Sequence, residues 1–335
     1  MKWYQLTDAP LQIHGLAVKE GKKFFRLPEE MMDQVNPRIP RLATYPAGGR
    51  IRFRTDSPVI EMRYSVTALP LHGHSAGIIG RAGADCYVNG IMRGNRPKDL
   101  TSALFFTRVQ KENEMQDVDI YLPIMTRVIT FEIGVEDDAK VEAPRPYTIE
   151  TPFVFYGSSI TNGAAASHPG NNYVARVARH MDADFINLGF AGAAKGEQIM
   201  ADYIAGLDMS LFVLDYDHNA PTVEHLQSTH YPFYETVRKA HPELPIIMLS
   251  RPNFDGHYLE EDLQDHIRRR EVVRSTYERA KANGDENVYF IDGETLFGTH
   301  ERDSCTSDTT HPNDLGFYRM AQAVIPVVEG IFKKA

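Results

Sequence analysis

Two short stretches carry residues whose types and spacing suit chemistry. Phe153-Val154-Phe155-Tyr156 runs into Gly157-Ser158-Ser159-Ile160-Thr161, and near the other end of the chain stands Asp308-Thr309-Thr310-His311-Pro312. A serine hydroxyl is a poor nucleophile until a base takes its proton. Histidine is the natural base near neutral pH. An aspartate on the other ring nitrogen fixes the tautomer and steadies the imidazolium. Asp308 and His311, three apart around a turn, can both face one place. A tetrahedral oxyanion also needs donors, and the backbone N–H groups of Ser159 and Gly192 with the side-chain amide of Asn219 would supply three. Loss of one such donor typically costs about 2.7–4 kcal/mol of barrier. Taken alone, Gly-Ser-Ser after a strand is also an ordinary turn, Asp308/His311 an ordinary helix entry, and Asn219 an ordinary loop residue.

The elements that must position these residues are read from periodicity. After Ala143-Pro-Arg-Pro146, apolar runs alternate with helical patterns. Strands are expected over 152–157, 184–190, 211–216, 244–250 and 287–292. Helices are expected over 173–182, 197–206, 230–242, 260–284 and 315–332. Continuous apolar strands between helices predict a parallel sheet covered on both faces. Ligands of such sheets bind outside the carboxyl ends of the strands. Just beyond those ends stand Gly157 to Thr161, Asn187 to Gly192, Asp215 to Asn219, Ser250-Arg251-Pro252-Asn253 and, after an irregular stretch, Asp308 to His311. These are the parts of an acyl-transfer site.

Residues 1–146 read differently. Ile51 and Phe53 alternate with arginines, Ile60, Met62, Tyr64 and Val66 alternate with polar residues, and so do Val118, Ile120 and Leu122, then Ile129, Phe131, Ile133 and Val135. Turn signals separate the runs, which predicts an all-β sandwich without helices. The arginines of Arg50-Ile-Arg-Phe-Arg54 are expected on a solvent face. Two domains are therefore expected, 1–146 and 147–335.

Composition excludes several classes. The 335 residues carry a net charge of −9, with 20 Lys and Arg against 18 Asp and Glu in 1–146 and 16 against 27 thereafter. An acidic C-terminal half argues against nucleic acid as partner. No run reaches 18 apolar residues, so no membrane span is expected. The N-terminus has no apolar core of a secretory signal, and Cys86 and Cys305 sit in no ligand or disulfide pattern, so a cytoplasmic location with reduced thiols is expected. Homo-oligomerisation stays open.

GSSIT, NLGFAG, Asn219 after a strand, and DTTHP resemble blocks I, II, III and V of the SGNH (GDSL-type) hydrolases, in order, across about residues 153–325. The resemblance implies a flavodoxin-like three-layer α/β/α hydrolase domain, Ser159 as nucleophile, His311 and Asp308 as its base and orienting acid, and Ser159, Gly192 and Asn219 as the oxyanion hole. Two positions depart from the pattern: Ser158 replaces the aspartate of G-D-S, and Asp217-His218-Asn219-Ala220 keeps only the asparagine of G-x-N-D. A jelly-roll-like β-sandwich before such a domain is similar in architecture to carbohydrate esterases that deacetylate polysaccharides or oligosaccharides. The expected activity is a serine esterase, most of all a carbohydrate O-acetylesterase, acting without cofactor on a small-molecule or oligosaccharide ester. A lipase, lysophospholipase or thioesterase is the competing enzyme reading, and a non-catalytic carbohydrate-binding protein the third.

Other residues are weaker candidates. Lys195, Glu197, His218 and Arg251 follow strands and are expected to touch a polar substrate, against the plainer reading of solvated loop residues. His72-Gly-His74 has a metal-like spacing without further ligands, so no metal is expected. The run Ile267 to Arg274 reads as the wet face of a helix. Trp3 is either a sugar platform or packing. Gly189 and Gly192 both suit turn geometry. The glycines of GFAGAAKGE do not form a nucleotide motif.

Overall fold

The computed structural model describes residues 1–21, 23–67, 76–97, 99, 102–252 and 259–333. Among the described residues its N-terminal part contains two large antiparallel sheets, the second joined also by Gln12–His14 along Arg50–Thr55, and a two-stranded one of Val18–Glu20 and Lys23–Phe25. The first has the order Lys2–Gln5, Val128–Val135, Val59–Val66, Leu104–Gln110; the second runs Val141–Glu142, Arg50–Thr55, Gln116–Tyr121, Asp85–Val88, Ile91–Gly94. The alternating residues face each other between the sheets. Ile60, Met62, Tyr64 and Phe131 come from the first, Ile51, Phe53, Val118 and Ile120 from the second, in one buried core. Tyr64 is stacked between Phe105 and Phe131, with ring centroids 4.9 and 4.7 Å away. Trp3 lies against Gly134 and under the Arg63 guanidinium at 3.9 Å, so it packs on this sheet.

The expectation of no helix before residue 146 is corrected by two short ones, Ile39–Ala43 and Ile78–Ala82. Five residues are too few to show a helical stripe. The solvent-face reading of Arg50 and Arg52 is also corrected: they are 1% and 6% exposed. The alternation is right, but their face meets the other half of the chain. Arg50 pairs with Asp184 and donates to the Tyr147 hydroxyl at 3.1 Å and to the Phe185 carbonyl at 3.1 Å. Arg52 holds Asp119 at 2.6 Å and stacks on Tyr147 at 3.6 Å.

The C-terminal part is a five-stranded parallel sheet. Its strands in chain order are Ile149–Gly157, Ala183–Gly189, Leu211–Asp215, Ile246–Leu249 and Val288–Ile291, and in space they run second, first, third, fourth, fifth. This is the flavodoxin-like order. Successive residues of the first strand go to opposite faces. Phe153 and Phe155 pack with the helices Tyr173–His180 and Asp314–Phe332. Val154 and Tyr156 pack with Gln198–Ala205, Val223–Ala240 and Glu260–Ala282. The helix Val223–Ala240 starts seven residues before its expected position and carries Pro232 inside it. Arg269 departs from the wet face expected of its helix: it is 8% exposed and donates to the carbonyls of Asp217 (3.0 Å) and Ala220 (2.7 Å).

Among the described residues, none of 27–43 belongs to the core of the sandwich. Leu27, Met31, Val35, Ile39 and Leu42 join the core of the parallel-sheet half, beside Leu188, Phe190 and Met200. Arg26, fully buried, opens this segment. It donates to the carbonyls of Asn187 (3.2 Å), Gly189 (2.5 Å) and Leu42 (2.8 Å), and lies 4.5 Å over the Phe190 ring. No carboxylate partners it among the described residues, and burial brings its pKa down to about 9.

Candidate active site

The first strand ends at Gly157, where nothing larger fits. A Cβ there would collide with Thr161 Oγ1 and the Asp215 carbonyl. The chain then turns into the one-turn helix Ser159–Asn162. Ser158 caps it, its Oγ accepting the Ile160 N–H at 3.1 Å, and Gly163 closes it in the left-handed region at φ +95°. The residue that departs from G-D-S thus takes a side-chain role in shaping the turn. Ser159 is 6% exposed at the helix start.

The partner loop is fixed just as locally. Thr306 bridges to Pro312, and the Ser307 N–H reaches the His311 carbonyl at 2.9 Å. Asn313 then caps the last helix through the N–H groups of Leu315 and Gly316. Within the loop Thr309 sits at φ +63°, a conformation rare for a β-branched residue. Asp308 Oδ1 accepts the backbone N–H groups of Thr310 (3.2 Å) and His311 (2.7 Å). Its Oδ2 accepts from His311 Nδ1 at 2.8 Å, and His311 Nε2 lies 3.0 Å from Ser159 Oγ. With Nδ1 carrying the proton, Nε2 is free to take the one on the serine.

The two other expected donors sit on the loops after the second and third strands. Gly192 has φ +66°. Gly189 serves packing instead, since a Cβ there would collide with the Asn162 backbone. Asn219 Nδ2 donates to the Phe190 carbonyl at 3.0 Å, which ties its turn to the loop that carries Gly192.

The four weaker candidates separate. Glu197 turns into its own loop, accepting the Tyr156 hydroxyl and the Lys195 N–H, each at 3.1 Å. Lys195 keeps its side chain free of any ion pair among the described residues. His218 lies near His311. Burial first, then the neighbouring Arg251 guanidinium, holds its pKa well below the ordinary range, so it is a neutral ring. Arg251 is 8% exposed and bonds His266, while its backbone N–H goes to Asp217 Oδ2 at 3.0 Å. Asn253, His72 and His74 lie outside the described residues.

Several residues have supporting roles that the sequence reading does not assign. Asp215, at the end of the third strand, accepts from Thr161 Oγ1 (2.8 Å) and the Tyr173 hydroxyl (2.7 Å), and burial pushes its carboxyl up to about 7. Asn187 Nδ2 holds the Thr161 carbonyl at 2.7 Å. From the sandwich, Asp85 is fully buried and accepts from the Gly170 N–H (2.7 Å) and His168 Nδ1 (2.6 Å), which pins the loop after the serine helix. Arg38, exposed, donates to the Gly192 carbonyl at 3.1 Å. A separate cleft of about 720 Å³, lined among others by Arg52, Asp119, Tyr121, Tyr147 and Arg179, contains none of the expected site residues.

Known proteins resemble the chain in sequence and in fold. A sequence model of the GDSL-like lipase/acylhydrolase family matches residues 150–329. A second, for the N-terminus of SGNH hydrolase-type esterases, matches residues 1–141. Its name spells G-x-D-L-Y, and Gly83-Ala84-Asp85-Cys86-Tyr87 follows that pattern with cysteine for leucine. A protein from Bacteroides ovatus assigned as a GDSL-like lipase is 29% identical, with 99% of this chain and 98% of that one covered and a TM-score of 0.88. The salicylyl-acyltransferase of a tetracycline biosynthetic pathway is 23% identical over 98% and 97%, with a TM-score of 0.81. An acetyl xylan esterase from Butyrivibrio proteoclasticus is 13% identical over 99% and 100%, with a TM-score of 0.60, and shares the fold. No curated protein matches the chain by sequence. A serine, a histidine and an aspartate joined by hydrogen bonds at the carboxyl edge of a parallel sheet, under a family model that spans more than half of the chain, lead to one statement: the chain belongs to the GDSL-like lipase/acylhydrolase family and is a hydrolase of ester bonds.

Proposed function

We propose that this hydrolase removes acetyl groups from carbohydrates through an acyl-enzyme on Ser159. The observation that carries the roles is the unbroken chain Ser159 Oγ, His311 Nε2, His311 Nδ1, Asp308 Oδ2, at 3.0 and 2.8 Å. Ser159 Oγ attacks the ester carbonyl as its proton passes to His311 Nε2. The oxyanion is held by the N–H groups of Ser159 and Gly192 and by Asn219 Nδ2. The C–O bond to the alcohol breaks, and His311 returns the proton to the departing oxygen. Water then attacks the acyl-enzyme, giving its proton to His311, and acetate leaves as Ser159 regains its hydrogen.

The carbohydrate part of this reading draws on polar residues on or against the strand-end loops, where Lys195, His218 and Arg251 follow strands and Arg38 bonds the Gly192 carbonyl, and on the plan shared with the acetyl xylan esterase. Under the same reading residues 1–146 act as a fixed companion of 147–335, with Arg26, Asp85 and Arg38 reaching the site from them. The test is acetate release from acetylated xylo-, manno- and gluco-oligosaccharides, with Ser159→Ala as control. Full turnover by Ser159→Ala sinks the assignment of the nucleophile. A rate optimum at eight-carbon or longer p-nitrophenyl esters, instead of acetate, sinks the acetyl assignment in favour of a lipase.

A further inference from the structure

Arg38 occupies an uncommon place. It is a residue of the N-terminal half, yet it reaches the glycine that the hydrolase half offers as an oxyanion donor. It gets there because the segment 27–43 is built into the core of the parallel-sheet half, with Val35 and Ile39 buried on either side of it in sequence. Its guanidinium lies along the Cα of Gly192: a Cβ on that glycine would stand 3.1 Å from Nη2 and 3.3 Å from Nη1. Nη1 donates to the Gly192 carbonyl at 3.1 Å, which fixes the head group. The remaining N–H groups of an exposed fork are left to solvent, and no carboxylate partners Arg38 among the described residues.

Lys195 stands three residues further along the same loop, also without an ion pair among the described residues. The backbone there is held by Glu197 on the Lys195 N–H (3.1 Å) and by His225 Nε2 donating to the Lys195 carbonyl (2.8 Å). Two cations without an ion pair among the described residues thus flank the loop of Gly192, in a chain that carries 45 acidic residues against 36 basic ones. A planar guanidinium held at one edge and open at the other matches a carboxylate.

We propose that Arg38 reads a carboxylate on the alcohol side of the ester, so that the preferred substrates are acetylated acidic sugars, uronic acids, over neutral ones. This rests on the acetylesterase reading. An acetyl group ends in a methyl and carries no charge, so an anion read by Arg38 must belong to the alcohol, and Arg38 is exposed where a substrate arriving from solution can meet it. Lys195 adds to the local positive field without the fork geometry.

The test compares kcat/KM for acetate release from an O-acetylated methyl glucuronoside, as free acid and as its neutral methyl ester, with p-nitrophenyl acetate as reference. An exposed guanidinium–carboxylate pair is worth only a modest factor, so the expected preference for the acid is about 3- to 5-fold at low ionic strength. It should shrink toward one in 1 M salt, where the Debye length is about 3 Å. Arg38→Gln should bring the ratio of acid to ester to about one, Arg38→Lys should keep part of it, and Arg38→Glu should invert it. Equal losses on both substrates in Arg38→Gln would assign Arg38 to support of the oxyanion loop and overturn the proposal. Turnover of p-nitrophenyl acetate with no preference in the wild type also overturns it, while the esterase reading stands. No turnover of any acetate ester overturns both.

Discussion

Asp308→Asn tests the proposed roles most sharply, because the structure dictates which way the new amide must point. Asp308 Oδ1 accepts two backbone N–H groups, from Thr310 and His311, and Oδ2 accepts from His311 Nδ1. An asparagine keeps the two backbone bonds only with its carbonyl turned toward them. Its NH2 then faces Nδ1, which must give up its proton, and Nε2 becomes a donor to Ser159 Oγ. The histidine can no longer take the serine proton. Restoring the working tautomer requires flipping the amide. That breaks two backbone bonds at about 1 kcal/mol each and sets NH2 against two N–H donors, for about 3 kcal/mol in all once partial solvent access is allowed for. This corresponds to a loss in kcat of roughly 10²-fold. Asp308→Ala imposes no tautomer and should be no slower than Asp308→Asn. The assay is kcat on p-nitrophenyl acetate, with near-ultraviolet circular dichroism to check the fold. An Asp308→Asn enzyme within about five-fold of the wild type, or an Asp308→Ala enzyme clearly slower than Asp308→Asn, would refute the reasoning.

Two further outcomes concern the supports of the site. The Asp215 carboxyl is raised to about 7, chiefly by burial, above an unfolded value of about 3.9. Its protonated form is therefore kept in the fold, and its contribution is full below about pH 4, falls as pH rises, and is lost above about 7. Asp215→Asn, which can still accept from Thr161 and Tyr173, should raise Tm over the wild type more at pH 8 than at pH 4; equal differences would contradict the buried neutral acid. Arg26→Met leaves the carbonyls of Asn187, Gly189 and Leu42 without their donor while relieving an unpaired buried charge. The net loss should be about 2–4 kcal/mol in urea unfolding, with a fall in kcat as the Gly189–Gly192 loop loosens; wild-type stability would mean that water serves these carbonyls as well.

The parallel-sheet half is legible in the sequence because each of its strands is a short apolar run bounded by helical periodicity, and because site residues follow strand ends. Ser159, His311 and Asp308 can be picked out from block order, and the structure brings them within hydrogen-bonding distance. The two large antiparallel sheets are legible from period-two alternation, but what their polar faces meet is not. Alternation tells that Arg50 and Arg52 share a face, and says nothing of whether that face meets water or another sheet. Asp85, Arg26 and Arg38 escape notice for a related reason. Each acts on a residue more than 80 positions away, on Gly170, Gly189 and Gly192, and no local pattern marks such a contact. The Gly83 to Tyr87 run is the one signal that could have pointed to Asp85. Glu197 shows the opposite error, a polar loop residue that looks free for substrate and is held by its own loop.

The arginines that join the two halves also answer a problem of solubility. Ala183–Gly189 is the outermost strand of the parallel sheet, and its carbonyls at Phe185, Asn187 and Gly189 alternate along one margin. Left bare, that row of acceptors would be a template for a strand from another molecule. Arg50 takes the first carbonyl and Arg26 the other two, so the margin is closed by guanidinium groups from the same chain. Cutting the hydrolase half free of residues 1–146 would thus uncover an aggregation edge directly beneath the loop of Gly192, and a minimal enzyme would need charge or proline on that strand to keep it from pairing with other molecules.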